Sequence, residues 1–255
     1  MDAVHSTKPG SVAASPLFLA RLGGFLYLII IVGGLFGPFA VAPTGMMLGG
    51  ASLPPVARIL ASPELYALGG IVQLIVYACD AGVALIFYEL LRPVNRGLAL
   101  LACFFRLVFV AVAASNMIVH FAPLVLMRGA ADSHGMEPAQ VEALALASIR
   151  LRTAGFDVAL VFFGIHCVIA GYLIFKSTFL PRILGVALAI GGAGYVANIF
   201  ISVIPSPTRG YIFPYALFPA GLAEVALTGW LILRGLNVAK WYEQGRASLL
   251  EKTAR

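Results

Sequence analysis

The sequence predicts an all-α integral membrane protein, a bundle of about six transmembrane helices with both termini in the cytoplasm. Three observations carry that reading. Of 255 residues, 61% are apolar and only 11% are charged, against roughly 25% charged in soluble domains. Six apolar stretches can each supply the ~20 residues that a bilayer core demands. Lysines and arginines fall unevenly on the loops between those stretches. A chain of this length folded in water could not hide so much apolar surface, so lipid must cover much of it.

Residues 1–16 read as a flexible N-terminal tail. The first span lies near 22–42. Ala40-Val41-Ala42 resembles a signal-peptide cleavage site, but the apolar stretch from Phe25 exceeds the ~7–15 residues of a signal-peptide core. Pro43 would also be the first mature residue, which disfavours cleavage. The segment reads as a retained helix. The second span, near 65–91, opens at Ser62-Pro63-Glu64: a cap, a first-turn proline and an acid at the positive end of the helix dipole. A tight basic turn, Leu91 to Gly97, leads to the third span near 97–127. The fourth lies near 153–176. Residues 138–152 before it are helical in composition, with Pro138 placed as a first helical residue. Joined to the fourth span they make a helix of about 39 residues, ~58 Å at 1.5 Å per residue. Such a helix either projects beyond the membrane or bends near Thr153-Ala154-Gly155. The fifth span, near 180–204, opens at Leu180-Pro181-Arg182 and closes at Pro205-Ser206-Pro207. The sixth lies near 212–236. The membrane domain thus covers 17–238. Residues 239–255 read as a loose basic cytoplasmic tail with little to bury.

Charge sets the orientation. The N-terminal flank, the second loop, the fourth loop and the C-terminal flank carry eleven Lys and Arg, among them Arg92, Arg96, Lys176, Arg182, Lys240 and Arg246. The opposite loops carry five: Arg58, Arg128, Arg150, Arg152 and Arg209. The richer side is the cytoplasmic one, which gives an inner-membrane, multi-pass protein with an even number of spans. The basic residues sit singly and make no patch interleaved with aromatics, so nucleic acid is not a partner; lipid is. Cys79, Cys103 and Cys167 all lie in apolar runs and read as packing residues rather than a disulfide framework.

Function must be sought among polar residues at membrane depth, where a charge costs at least ~2.5–3.5 kcal/mol. Measured from the cytoplasmic helix ends, Asp80 lies about 16 Å deep, Arg106 about 14 Å, His166 about 15 Å and Glu224 about 18 Å. Asp80 and Arg106 sit on helices joined by a short turn, which predicts an ion pair. These four form a candidate midplane cluster. Gln73, Asn116, Asp157 and Asn198 form a candidate outer layer about 27–28 Å from the same ends, with His120 higher still and Arg150 just before the fourth span. Arg150 and Asp157 are seven apart and share a helix face, whereas Asp157 and His166 are nine apart and oppose each other. A buried Asp–Arg pair also has a purely structural use in setting helix register. His166 and Cys167 point in directions about 100° apart, so their adjacency makes no metal site. Paired glycines, such as Gly23-Gly24, Gly33-Gly34 and Gly191-Gly192, read as close-packing sites, and Tyr66, Trp230, Trp241 and Tyr242 as interfacial anchors.

Cys79-Asp80, Tyr88-Glu89-Leu90-Leu91-Arg92-Pro93-Val94-Asn95-Arg96, Phe105-Arg106-Leu107, Phe162-Phe163-Gly164-Ile165-His166-Cys167, Gly171-Tyr172-Leu173-Ile174-Phe175-Lys176-Ser177 and Leu180-Pro181-Arg182-Ile183-Leu184-Gly185 occur in that order. Together they resemble the bacterial membrane family known as domain of unknown function 4386, over roughly residues 18–236. The resemblance implies a bacterial multi-span membrane protein. It brings no activity, cofactor or catalytic residue.

Three readings follow. The first is a membrane protein that handles a small molecule, ion or proton through the midplane cluster. The second is a membrane enzyme acting on a lipid or quinone, with His166, Asp157 or Glu224 as acid or base. The third is a non-catalytic partner subunit or sensor whose polar groups are structural. The first is favoured. The cofactor, if one is used, is unknown from the sequence.

Overall fold

The computed structural model describes residues 15–41, 55–129, 137–203 and 209–253. Among them the helices are α1 (Pro16–Val41), α2 (Pro55–Ala61), α3 (Pro63–Leu91), α4 (Arg96–Ser115), α5 (Met117–Gly129), α6 (Pro138–Lys176), α7 (Arg182–Val203), α8 (Arg209–Leu233) and α9 (Val238–Thr253). Five helical stretches are long and apolar enough to cross a membrane, or six when α8 and α9 are counted together as one broken span. The 25 residues of α8 reach about 37 Å unaided at 1.5 Å per residue, more than a ~30 Å hydrocarbon core requires. The third span is the α4–α5 pair.

The spans make a closed ring. α1 packs on α3, α3 on α4, α4 on α6, α6 on α7, α7 on α8, and α8 returns to α1. Successive helices joined by short turns lie antiparallel, and with six alternating spans the first and last also meet in opposite senses. Large apolar side chains such as Phe25, Leu85, Phe104, Ile190 and Leu222 are exposed along the outer wall, where hydrocarbon rather than water is the matching solvent. The buried charged residues, Asp80, Arg106, Asp157 and Glu224, lie inside.

Local chemistry accounts for the helix ends. Ser62 occupies the N-cap of α3 with Pro63 next and Glu64 in the first turn, although its hydroxyl makes no cap bond. Asn95 caps α4, its Oδ1 accepting from Leu98 N at 3.0 Å. α6 begins at Pro138 behind a reciprocal Glu137–Gln140 capping box. It then runs without interruption for 39 residues through Thr153-Ala154-Gly155, longer than a ~30 Å hydrocarbon core requires. α6 packs against α5 and α2, beside a small apolar cluster of Ile59, Tyr66 and Leu124 that Ile149 joins. Gly155 makes room instead of a bend: a Cβ there would lie 2.6 Å from Asn116 Oδ1. Asn116 is where the third span breaks into two helices, and its Nδ2 donates to the Arg152 carbonyl at 2.7 Å. Pro205-Ser206-Pro207 and residues 1–14, including most of the expected N-terminal tail, lie outside the described residues, as do Ala42 and Pro43.

The C-terminal segment corrects one expectation. It is not loose but folds as α9. Gly235, at φ +66, ends α8 in the left-handed conformation that a residue with no Cβ adopts freely. α9 then leaves α8 at 105°. Trp241 Nε1 donates to the Leu90 carbonyl at 2.9 Å, and Gln244 Oε1 accepts from Thr178 N at 3.0 Å. The second loop, the fourth loop and the C-terminal flank thus meet at one end of the bundle. These are segments that the basic residues assign to one side.

α6 and α7 make the tightest seam. A Cβ on Gly164 would lie 2.6 Å from the Gly192 carbonyl, and one on Gly171 would lie 2.5 Å from the Gly185 carbonyl; the reverse distances are the same. Both pairs repeat at seven residues on antiparallel helices, which keeps the seam on one face of each. Gly34, by contrast, faces open space. Gly192→Val should therefore destabilise the bundle by at least about 1–3 kcal/mol, as overpacking does, and Gly34→Ala should leave stability unchanged. Thermal unfolding in detergent, followed by the temperature at which the monodisperse peak is lost, measures both.

Candidate functional site

The ring's interior is organised around Arg106, which is 0% exposed. α4 carries it inward, and its Nε donates to Asp80 Oδ1 on α3. The short Arg92–Asn95 turn between these helices brings the two side chains to one depth, as the sequence predicts. Arg106 Nη1 lies 3.1 Å from His166 Nε2 on α6. His166 Nδ1 lies 2.9 Å from the Ala102 carbonyl. A carbonyl can only accept and a guanidinium can only donate, so His166 is the neutral tautomer with hydrogen on Nδ1. Both ring nitrogens are then engaged.

The rest of the guanidinium is surrounded by aromatic faces. Its carbon lies 4.8 Å from the Tyr27 ring centroid, 5.3 Å from Phe163 and 5.6 Å from Phe87. These contacts suit a cation removed from water. Arg106 Nη2 has no hydrogen-bond partner among the described residues.

Tyr27 joins this centre to Glu224. Its ring stacks beside Arg106 while its hydroxyl donates to Glu224 Oε2 at 3.0 Å. Tyr195 on α7 donates to the other oxygen, Oε1, at 2.6 Å. Among the described residues Glu224 makes no salt bridge. It is the least enclosed of the four midplane residues, at 9% exposure against 0–2% for the others. One turn along α8, the buried Thr228 hydroxyl has no partner among the described residues. The four predicted residues, on four spans, therefore form one assembly, linked by a tyrosine that sequence reasoning missed. Depth alone could have found Tyr27: it lies eleven residues into α1, about 16 Å from that helix's start.

The outer residues divide into separate contacts. Asn198 Nδ2 donates to Asp157 Oδ1 at 3.1 Å across the α6–α7 seam, both buried. His120 stacks on Tyr66, with centroids 4.3 Å apart, and accepts the Tyr66 hydroxyl at its carbonyl at 2.7 Å. Asn116 is held by the Arg152 carbonyl. Gln73 is half-buried and Arg150 is exposed, so Arg150 lies away from the buried Asp157 despite the seven-residue spacing. Asp157 and His166 do face opposite neighbours, α7 and α4. Cys167 packs towards α7, where a Cβ on Gly192 would lie 2.8 Å from its own, so it points away from the contacts His166 makes.

The family model described as Domain of unknown function (DUF4386) matches residues 22–235. The chain belongs to that family. An uncharacterized protein from Archaeoglobus fulgidus is 26% identical over 181 residues, 70% of this chain and 89% of its own length. No solved structure matches. With five to six stretches able to cross a membrane, the chain is a multi-pass membrane protein of that family.

The central ion pair makes a sharp prediction. Asp80→Asn leaves the Arg106 charge buried and unbalanced, which costs about 3–5 kcal/mol and should severely reduce folded yield. Replacing both, as Asp80→Leu with Arg106→Met, removes the charge itself and should recover much of that yield. Fluorescence-detected size-exclusion chromatography reads both. Normal accumulation of Asp80→Asn would show that the pair is not a buried charge balance.

Proposed function

We propose that this family member is a proton-coupled carrier of a small molecule or ion, with Glu224 as its proton-binding group. The observation that carries the reading is a carboxyl at membrane depth that has no cation against it and is held between two phenols. When ionised, it accepts from Tyr27 and Tyr195. When protonated, it donates to one phenol oxygen and still accepts from the other, because a tyrosine hydroxyl works in both directions. Its site therefore tolerates either protonation state without losing its hydrogen bonds. Asp80 and His166 differ, since each is committed to Arg106 and to a fixed role.

Charge supports the same division of labour. Arg106 is balanced by Asp80 at rest, so a proton leaving Glu224 places a net negative charge beside an aromatic-wrapped cation. That charge favours a coupled cation or a returning proton, which is the elementary basis of exchange or co-transport. Arg106 Nη2 and Thr228 Oγ1, buried and unpartnered among the described residues, offer polar contacts to a small solute near the same carboxyl. An enzyme built on His166 is less favoured, because both of its ring nitrogens are already engaged.

A proton binding to Glu224 crosses part of the membrane and so displaces charge. Reconstituted protein on a solid-supported membrane should give a transient current on a step in pH. The current should vanish in Glu224→Gln and persist in Glu224→Asp. Tyr195→Phe, which removes one of the two phenol partners, should shift the pH at which half of the charge moves. An undiminished current in Glu224→Gln, or none in the natural protein, would refute the assignment.

A further inference from the structure

The end of the bundle where α9 folds back holds a feature that the polar core does not use. A cleft of about 450 Å³ lies between α9 and the α3–α4 turn. Arg92 and Arg96 face it from the turn, and Arg246, Ser248 and Trp241 from α9. All three arginines are exposed. Arg92 meets Glu89 at 3.1 Å. Among the described residues, Arg96 and Arg246 pair with no carboxylate. Glu243, on the same helix, is within salt-bridge reach of neither.

The orientation of α9 says where this cleft lies relative to lipid. A helix set at 105° to a spanning helix runs along the membrane surface. Its sequence, VAKWYEQGRASLLEKT, is too charged to enter the hydrocarbon and carries both apolar anchors and basic residues, the composition of an interfacial helix. Leu249 and Leu250 are exposed, as an acyl-facing side would be. The Trp241 bond to the end of α3 and the Gln244 bonds to the α6–α7 turn fix its height at the ends of the spans. Three guanidinium groups therefore converge at headgroup level, beside an indole and a phenol of the kind that settle there.

We propose that this cleft binds the phosphate of an anionic phospholipid from the surrounding leaflet. Guanidinium groups pair with phosphate oxygens in parallel, two bonds at a time. The glycerol and first acyl carbons of a lipid would lie along Trp241 and Leu249, whereas a soluble phosphate would leave that apolar wall uncovered. The lipid would also tie α9 to the α3–α4 turn, whose two helices carry Asp80 and Arg106.

The test is native mass spectrometry of the full chain released from nanodiscs holding equal amounts of phosphatidylglycerol and phosphatidylcholine. The natural protein should retain phosphatidylglycerol. Arg92→Ala with Arg96→Ala and Arg246→Ala should weaken retention at least about tenfold, since each surface basic residue contributes separately. Arg150→Ala with Arg152→Ala, near the far end of the bundle, should leave it unchanged. Equal retention by the triple variant, or equal loss in the far-end control, overturns the proposal. Displacement of the lipid by free glycerol phosphate at matched concentration also overturns it, since the cleft would then recognise a soluble phosphate.

Discussion

A guanidinium at the middle of a membrane protein must be balanced, hydrogen-bonded and shielded at once, and Arg106 imposes those demands on the whole bundle. The cost of leaving such a charge bare in hydrocarbon is several kcal/mol at least, comparable with the net stability of many folds. Asp80 supplies the counter-charge from α3, His166 an acceptor from α6, and Tyr27, Phe87 and Phe163 the aromatic faces. Four of the six spans are therefore held in register by one side chain. The closed ring follows, because only an enclosed interior keeps every one of those partners away from lipid.

Glu224 stands at the edge of this assembly and not at its centre. It touches the cation only through the Tyr27 ring, and it joins α8 and α7 to α1 through two phenols. On the proposed reading, the interior has a fixed part around Arg106 and an adjustable part at Glu224, where a proton comes and goes. The α6–α7 glycine seam holds the walls close on the fixed side. α8 closes the other side: a Cβ on Gly191 would lie 2.6 Å from Ala220 Cα, and one on Gly24 3.0 Å from the Ile232 backbone nitrogen.

Much of this was legible from residue spacing. Apolar length gave the six spans, short turns gave antiparallel neighbours, and a rise of 1.5 Å per residue placed Asp80, Arg106, His166 and Glu224 at one level. The nine-residue interval between Asp157 and His166 foretold their opposite directions. Three things were not legible, each for a physical reason. The contact of α1 with α8 is non-local, and no periodicity encodes it. Tyr27 and Tyr195 are amphipathic, so a phenol at mid-depth passes for an apolar residue until its hydroxyl finds a partner. α9 is too polar to signal burial, and its order comes from a few bonds to loop backbones. The outer residues share a depth but not a direction, so they make separate contacts rather than one cluster. Arg150 belongs to the part of α6 outside the ring, where it turns to the surface.

The central claim is that Arg106 fixes the charge of its direct partner and leaves that of Glu224 free. Solid-state nuclear magnetic resonance of the protein in lipid, with carbon-13 in the Asp and Glu side-chain carboxyls, tests it directly, the Asp80→Asn and Glu224→Gln variants serving for assignment. The account predicts that the Glu224 carboxyl signal moves between two limits as pH is varied while the Asp80 signal holds still. A moving Asp80 signal with a stationary Glu224 signal would contradict it.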